Sequence, residues 1–175
     1  MDDVLAIGKP EVLDGFCARM AEEWEVGAPE WIENGGAPVK FFGMEIEKKL
    51  DTYYVHRKSY LADLLGRYPG EGGGSLGNIK VPHEEEDPSP QEVQKAQKET
   101  GELLWIAGRT RPDISYGVIR VSIMGQYAAK RPRGVQKIGK EPRQYLRETQ
   151  DLMLEYALFK MAAKKELSGR RGMLI

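Results

Sequence analysis

The alternation of apolar and polar positions divides the chain into short strands first and longer helices later. Val4 to Ile7 is a brief apolar run ending at Gly8. Lys9-Pro10-Glu11 then reads as a helix start, because a proline in the first turn lacks only an N–H that would have no partner there. Val12, Leu13, Phe16, Cys17, Met20 and Trp24 recur at helical spacing, which predicts one apolar face laid on a sheet. Gly27, Pro29 and Asn34-Gly35-Gly36 end that pattern in a loop. Val39 to Glu47 and Thr52 to His56 are rich in β-branched and aromatic residues and flank Lys48-Lys49-Leu50-Asp51, a pattern that predicts one hairpin. Ser59 stands where a cap would open the next helix, on which Tyr60, Leu61, Leu64, Leu65 and Tyr68 form an apolar stripe.

Pro69 to Gly77, with five glycines, and Pro82 to Pro90, with Glu84-Glu85-Glu86-Asp87, predict a flexible acidic linker. Ser89 and Pro90 then cap and open a helix with Ala96, Leu103, Leu104, Ile106 and Ala107 on its buried side and Trp105 in the core beside them. Arg111-Pro112-Asp113 interrupts it, and an Arg111 to Asp113 contact is expected to brace that corner. A second helix is predicted over Ile114 to Ala129, rich in Val118, Ile119, Val121, Ile123 and Met124, and a third begins near Val135 after Pro132. Pro142 falls inside the third, where an interior proline predicts a kink or break. Strands followed by helices point to an α+β chain with a helical second module.

Composition narrows the class. With 175 residues, 41% of them hydrophobic, the chain can bury a core as one domain or two small ones. No apolar run approaches the roughly 20 residues of a membrane helix, and Met1, Asp2 and Asp3 are acidic where a secretory leader would be basic. An intracellular, cytoplasmic protein without a membrane partner is expected. The single Cys17 excludes an internal disulfide and a cysteine-based zinc site, and reads as a small buried apolar group. His56 and His83 lack partners at metal-binding spacing.

Charge is divided unevenly. Residues 1 to 88 hold 18 acidic and 9 basic side chains, whereas residues 89 to 175 hold 9 acidic and 17 basic. That asymmetry fits either nucleic-acid contact by the basic half or two solvated faces of opposite sign. Lys130, Arg131, Arg133, Lys137, Lys140, Arg143 and Arg147 are opposed within their stretch only by Glu141, the composition of a surface that neutralises phosphates or of a solvated helix face. Lys160, Lys164, Lys165, Arg170 and Arg171 form a second basic group, expected to be a tail.

Adjacent carboxylates before an apolar strand can hold Mg²⁺ when a tight turn brings both to one side. Met1-Asp2-Asp3-Val4-Leu5-Ala6-Ile7-Gly8 resembles the x-Asp-Asp hairpin of reverse transcriptases, and a helix and the Phe41-Phe42-Gly43-Met44-Glu45-Ile46 hairpin follow in the order of that palm. Thr100-Gly101-Glu102-Leu103-Leu104-Trp105-Ile106-Ala107 and Thr110-Arg111-Pro112-Asp113-Ile114-Ser115-Tyr116 resemble the segment after the palm in copia-type retrotransposon Pol polyproteins. Gln144-Tyr145-Leu146-Arg147-Glu148-Thr149 is similar to a further motif of that family, and the resemblance reaches to about Tyr156.

The resemblance implies a partial reverse-transcriptase palm (strand, helix, β-hairpin) over residues 1–58. A thumb helix and acidic linker would cover 59–88, a mostly helical thumb/connection module 89–157, and a basic tail 158–175. It makes Asp2 and Asp3 catalytic ligands of Mg²⁺, and Phe42, Gly43, Met44 and Glu45 a primer grip. The basic residues from Lys130 to Arg147 would then contact the nucleic-acid backbone. The complete enzyme would be an RNA-directed DNA polymerase acting on an RNA or DNA template–primer with deoxynucleotides. Its third carboxylate, its fingers and its RNase H domain would lie outside these residues, so this chain is expected to be inactive alone. The alternative is a non-catalytic nucleic-acid-binding remnant of a retroelement polyprotein.

Overall fold

A computed structural model of the protein describes residues 3–70, 87–119, 130–157 and 171–174. The chain forms two compact units, one of Met1–His56 with Met153–Ile175 and one of Arg57–Leu152. The first is built on sheets and the second on helices, an α+β composition as predicted.

In the sheet unit, strand β1 (Leu5–Gly8) leads into helix α1 (Pro10–Glu23), followed by β2 (Glu30–Ile32), β3 (Val39–Phe41), β4 (Met44–Lys49) and β5 (Thr52–His56). The later segments β6 (Leu154–Ala157) and β7 (Arg171–Leu174) return to this unit. β7 runs antiparallel between β1 and β2, and β3, β4, β5 and β6 form a second antiparallel sheet in that order. Ile32 of β2 with Val39, Ile46 and Tyr53 of the second sheet make a buried cluster in this unit, with Leu5, Phe41 and Val55 packed against them.

Three expectations change here. Val39 to Glu47 is not one strand: the chain folds back at Phe42 and Gly43, with φ of 49° and 68°. Two successive positive φ values suit a two-residue turn whose twist matches the flanking strands, so the single hairpin becomes a three-stranded meander. The second turn places Leu50 at φ 56°, which costs a non-glycine residue roughly 1–2 kcal/mol. A hydrogen bond donated by the Leu50 amide to Asn34 Oδ1 at 2.7 Å offsets part of that. Secondly, residues 154–157 are strand rather than helix, and 171–174 are strand rather than tail. Each is a four-residue piece held by the ladders of its neighbours rather than by a pattern of its own. Lys160, Lys164, Lys165 and Arg170 lie outside the described residues. Thirdly, only Leu13 of α1 is fully buried; Phe16, Cys17 and Met20 are half-buried, and Val12 and Trp24 are exposed. The Cys17 thiol donates to Met173 Sδ at 3.1 Å, and burial, then Asp14, push it above its ordinary pKa.

The helical unit contains α2 (Lys58–Arg67), α3 (Pro90–Ala107), a 3-10 turn (Pro112–Ile114) leading into helical residues 115–119, and α4 (Pro132–Glu148). α2 opens one residue before Ser59, with Arg57 at the cap position. The α3 cap is as predicted. Ser89 and Glu92 form a reciprocal capping box with Pro90 in the first turn. Leu61, Leu65, Ala96, Leu103, Ile106, Ala107, Ile114, Val118, Val135, Ile138 and Leu146 make one continuous core.

On α3 the buried positions 96, 99, 100, 103, 106 and 107 follow a 3.6-residue stripe. Leu104 and Trp105 fall off that stripe and are exposed, against expectation. The Trp105 ring instead has two guanidinium groups near it, Arg57 at 4.5 Å and Arg109 at 5.1 Å from its centre. α4 begins at Pro132, earlier than predicted, and its helix runs through Pro142 without a break. The Pro142 ring is fully buried, so burial offsets part of the lost backbone bond. The predicted second helix is described only to residue 119; Val121, Ile123, Met124 and the Gly-rich run from residue 71 onward lie outside the described residues.

Candidate nucleic-acid interface

In the sheet unit the predicted residues fall into two places. Asp2 lies outside the described residues, and Asp3 is exposed just ahead of β1. Among the described residues no group of three His, Cys, Asp or Glu side chains is placed to hold a metal ion. Of the two carboxylates expected to hold Mg²⁺, Asp3 alone is among the described residues.

Phe42, Gly43, Met44 and Glu45 do come together, at the β3–β4 turn. Phe42 stands exposed at the tip, edge-on to the Phe41 ring at 4.9 Å, and Met44 pairs across the strands with Phe41. Gly43 supplies the second positive φ. Glu45 is different in kind, because its carboxylate is buried and lies 3.1 Å from His56 Nδ1. Glu47, two residues along the same strand face, lies 3.7 Å from His56 Nε2. His56 is thus held between two carboxylates, a cluster with no sequence spacing of its own. It becomes visible only when β5 is laid against β4 in the register that pairs Glu45 with His56.

In the helical unit the basic residues of the predicted interface split into outward and inward groups. Lys130, Arg133, Lys137 and Lys140 are exposed, and Arg131 is half-buried. Arg133 reaches Glu92 at 3.0 Å, tying the start of α4 to the start of α3. Arg143 turns inward, where its Nη1 donates to Glu99 at 3.0 Å, with both side chains at least nine-tenths buried. Gly139 makes room for it: an added Cβ would stand 2.9 Å from Arg143 Nη1. A helix-interior glycine that costs about 1 kcal/mol is thereby explained. Burial is the largest influence on Glu99 and holds its carboxyl above the usual range even though Arg143 pulls it down.

Arg147 is fixed by main chain. Its Nη2 donates to Tyr68 O at 2.7 Å and Leu65 O at 3.3 Å, the carbonyls at the end of α2. Arg111 makes the predicted contact to Asp113, at 2.8 Å, and adds bonds to the carbonyl and hydroxyl of Thr149. These charges hold the fold as well as decorating it.

Between α2, α3 and α4 lies an open polar cavity of about 340 Å³. Arg67, Lys95, Lys140, Arg143 and Arg147 line it with positive charge, and among the described residues Glu99 is the one carboxylate in its wall. Arg67 and Lys95 escape a reading of the basic run from 130 to 147 because they come from other helices. No family model matches the chain, and neither a curated protein nor a solved structure does.

Proposed function

We propose that the chain is part of a copia-type reverse transcriptase and serves there to hold a template–primer, with no polymerase activity alone. The observation that carries this reading is the β3–β4 turn. It presents an exposed Phe42 on a glycine-backed tip within Phe42-Gly43-Met44-Glu45, and a helical unit carrying Leu103-Leu104-Trp105 and Thr110-Arg111-Pro112-Asp113-Ile114 follows in sequence. A rigid aromatic on a tight turn offers a stacking surface to a terminal base or sugar. The outward Lys130, Arg133, Lys137 and Lys140 support contact with a phosphate backbone, whereas the buried Arg143 and the carbonyl-bound Arg147 would position rather than bind. Asp2 and Asp3 would act as metal ligands only in the complete enzyme.

The test is fluorescence anisotropy with an RNA–DNA duplex carrying a recessed 3′ end. Binding should weaken steeply with salt, persist in EDTA, and fall about ten-fold when Lys130 and Lys137 are both changed to Glu. Phe42→Ala should weaken the recessed duplex more than a blunt one. Salt-insensitive or absent binding removes the nucleic-acid reading. Primer extension by the purified chain, abolished by Asp2→Asn, overturns the expected inactivity. Binding that treats recessed and blunt ends alike would instead favour the non-catalytic remnant, whose exposed lysines act without a grip.

A further inference from the structure

We propose that the outer edge of β1 is an interface for a second copy of this chain, with the two β1 strands pairing antiparallel across a two-fold axis. This goes beyond the primer-holding reading and does not depend on it, since that reading rests on the β3–β4 turn and on the outward lysines of the helical unit.

Four strands stand at the edges of the two sheets: β1 and β2 in one, β3 and β6 in the other. An edge strand presents unpaired N–H and C=O groups, and proteins commonly guard such edges with a charged side chain or a proline. β2 carries Glu30, β3 carries Lys40 and β6 carries Glu155. β1 is Leu5-Ala6-Ile7-Gly8, with neither a charge nor a proline. Among the described residues it pairs with β7 alone, along one side. Ile7 is 51% exposed, so the one unguarded edge also leaves a large apolar side chain in solvent.

The charges that flank the strand decide which partner fits. Asp3 precedes it and Lys9 follows it; both are exposed, and Lys9 keeps an extended backbone with φ −71° and ψ 143°. Residues 3, 5, 7 and 9 alternate onto one face of the strand. In an isologous dimer with its two-fold axis normal to the sheet, residues that stand opposite each other lie on the same face. With the axis at Ala6, Asp3 of one copy faces Lys9 of the other, and Leu5 faces Ile7. Each pair occurs twice, so two cross-strand charge pairs enclose two apolar pairs. Moving the axis to Leu5 would set Asp3 against Ile7. Moving it to Ile7 would set Lys9 against Leu5 and Val4 against Pro10, which has no N–H to donate. The strand is thus complementary to itself in one register.

Association closes at two copies. Joining two β1 edges uses up both, and the outer strand of the doubled sheet on either side is then β2 with its Glu30. An edge of four residues buries far less than the roughly 1,600 Å² of a standard interface, so the dimer is weak and exchanges readily.

The experiment is sedimentation velocity of the full chain from low micromolar to several hundred micromolar. A monomer–dimer equilibrium with a Kd on the order of 100 µM is expected. Ile7→Lys, which guards the edge at an exposed position, should weaken the dimer at least about ten-fold. Lys9→Glu sets like charges opposite each other twice and should weaken it several-fold, whereas Asp3→Lys/Lys9→Glu exchanges the two charges and should return the Kd to within about two-fold of the parent. Tyr156→Lys, an exposed change on the guarded edge strand β6, should leave the Kd within about two-fold. Should Ile7→Lys unfold the sheet unit, the charge-exchange set still decides, because Asp3 and Lys9 are both exposed. A chain that stays monomeric throughout, equal losses in Ile7→Lys and Tyr156→Lys, or a double charge exchange that fails to recover what Lys9→Glu loses overturns the proposal.

Discussion

The two units solve the problem of a small core differently. Among the described residues, the main cluster of the helical unit joins eleven buried apolar residues from its helices and has an ion pair deep in the packing beside it, whereas the cluster of the sheet unit joins four at the meeting of short strands. A helix satisfies its own backbone, so the helical unit can place charged pairs between helices without loosening them. Strands of three to six residues depend on neighbours for every ladder bond, and here the middle strand of one sheet arrives from the far end of the sequence. Side-chain changes should therefore weigh more in the helical unit, and turn and register more in the sheet unit.

The strongest test is at Glu99. Replacing it with Ala leaves the Arg143 guanidinium buried beside Tyr68 with, among the described residues, the Gln136 carbonyl at 3.4 Å to accept from it. Breaking a buried pair in this way should cost about 3–5 kcal/mol, read as a fall in the urea midpoint. The double change Glu99→Leu/Arg143→Met removes both charges and should return stability to within about 1 kcal/mol of the parent. Should the double variant be as unstable as the single one, the pair supplies cohesion of its own and the contrast with the sheet unit grows; a single variant as stable as the parent would erase it.

Next comes the apolar comparison. Leu103 is completely buried at the centre of the large cluster, and Leu103→Ala should cost about 3 kcal/mol. Val39 is also buried but sits in a cluster of four, where Val39→Ala removes two methyl groups and should cost about 1.5 kcal/mol. Amide exchange resolved along the chain measures both. Equal losses at the two sites would mean that cluster size does not set the sensitivity of either unit.

The same contrast explains which features are legible in the sequence. In the helical unit Ala96, Leu103, Ile106 and Ala107 are legible because a 3.6-residue stripe is a local signal, and Ser89 with Glu92 carries its cap on its face. Leu104 and Trp105 mislead because they are apolar neighbours of the stripe without being on it, and a helix can bury only one side against its partners. The pairing of Arg143 with Glu99, 44 residues apart, has no local trace, except that Gly139 leaves an unexplained gap one turn from Arg143. In the sheet unit β1, α1 and the strand content of residues 39–56 are legible, but the fold-back at Phe42-Gly43 is not, since a Phe in a positive-φ turn position goes against the usual residue preference. β6, β7 and the Glu45–His56–Glu47 cluster are hidden for a common reason: register and long-range pairing decide them. The residues expected to touch nucleic acid are recognisable as a basic run, yet only packing separates the outward lysines from the inward arginines.

The smallest expected effect separates the units by pH. Burial is the largest single influence on Asp113 and raises its carboxyl, but hydrogen bonds and charge from Arg111 outweigh it and leave the group below its ordinary value. A carboxyl depressed by folding contributes stability that is complete above its unfolded value, about 3.9, and is lost as pH falls through its folded value. Glu99 works in the opposite direction. Its raised value means that its contribution is complete below the unfolded value, about 4.3, and is lost as pH rises through the folded one. The Cys17 thiol of the sheet unit, also raised, follows the same sign at the alkaline end. The melting temperature of Asp113→Asn should therefore lie a few degrees below the parent at neutral pH, and the gap should close as pH falls below about 4. A gap that stays constant down to the acid transition would show that the Arg111 corner acts through hydrogen-bond geometry alone, which Asn preserves in part, and not through the charge of Asp113.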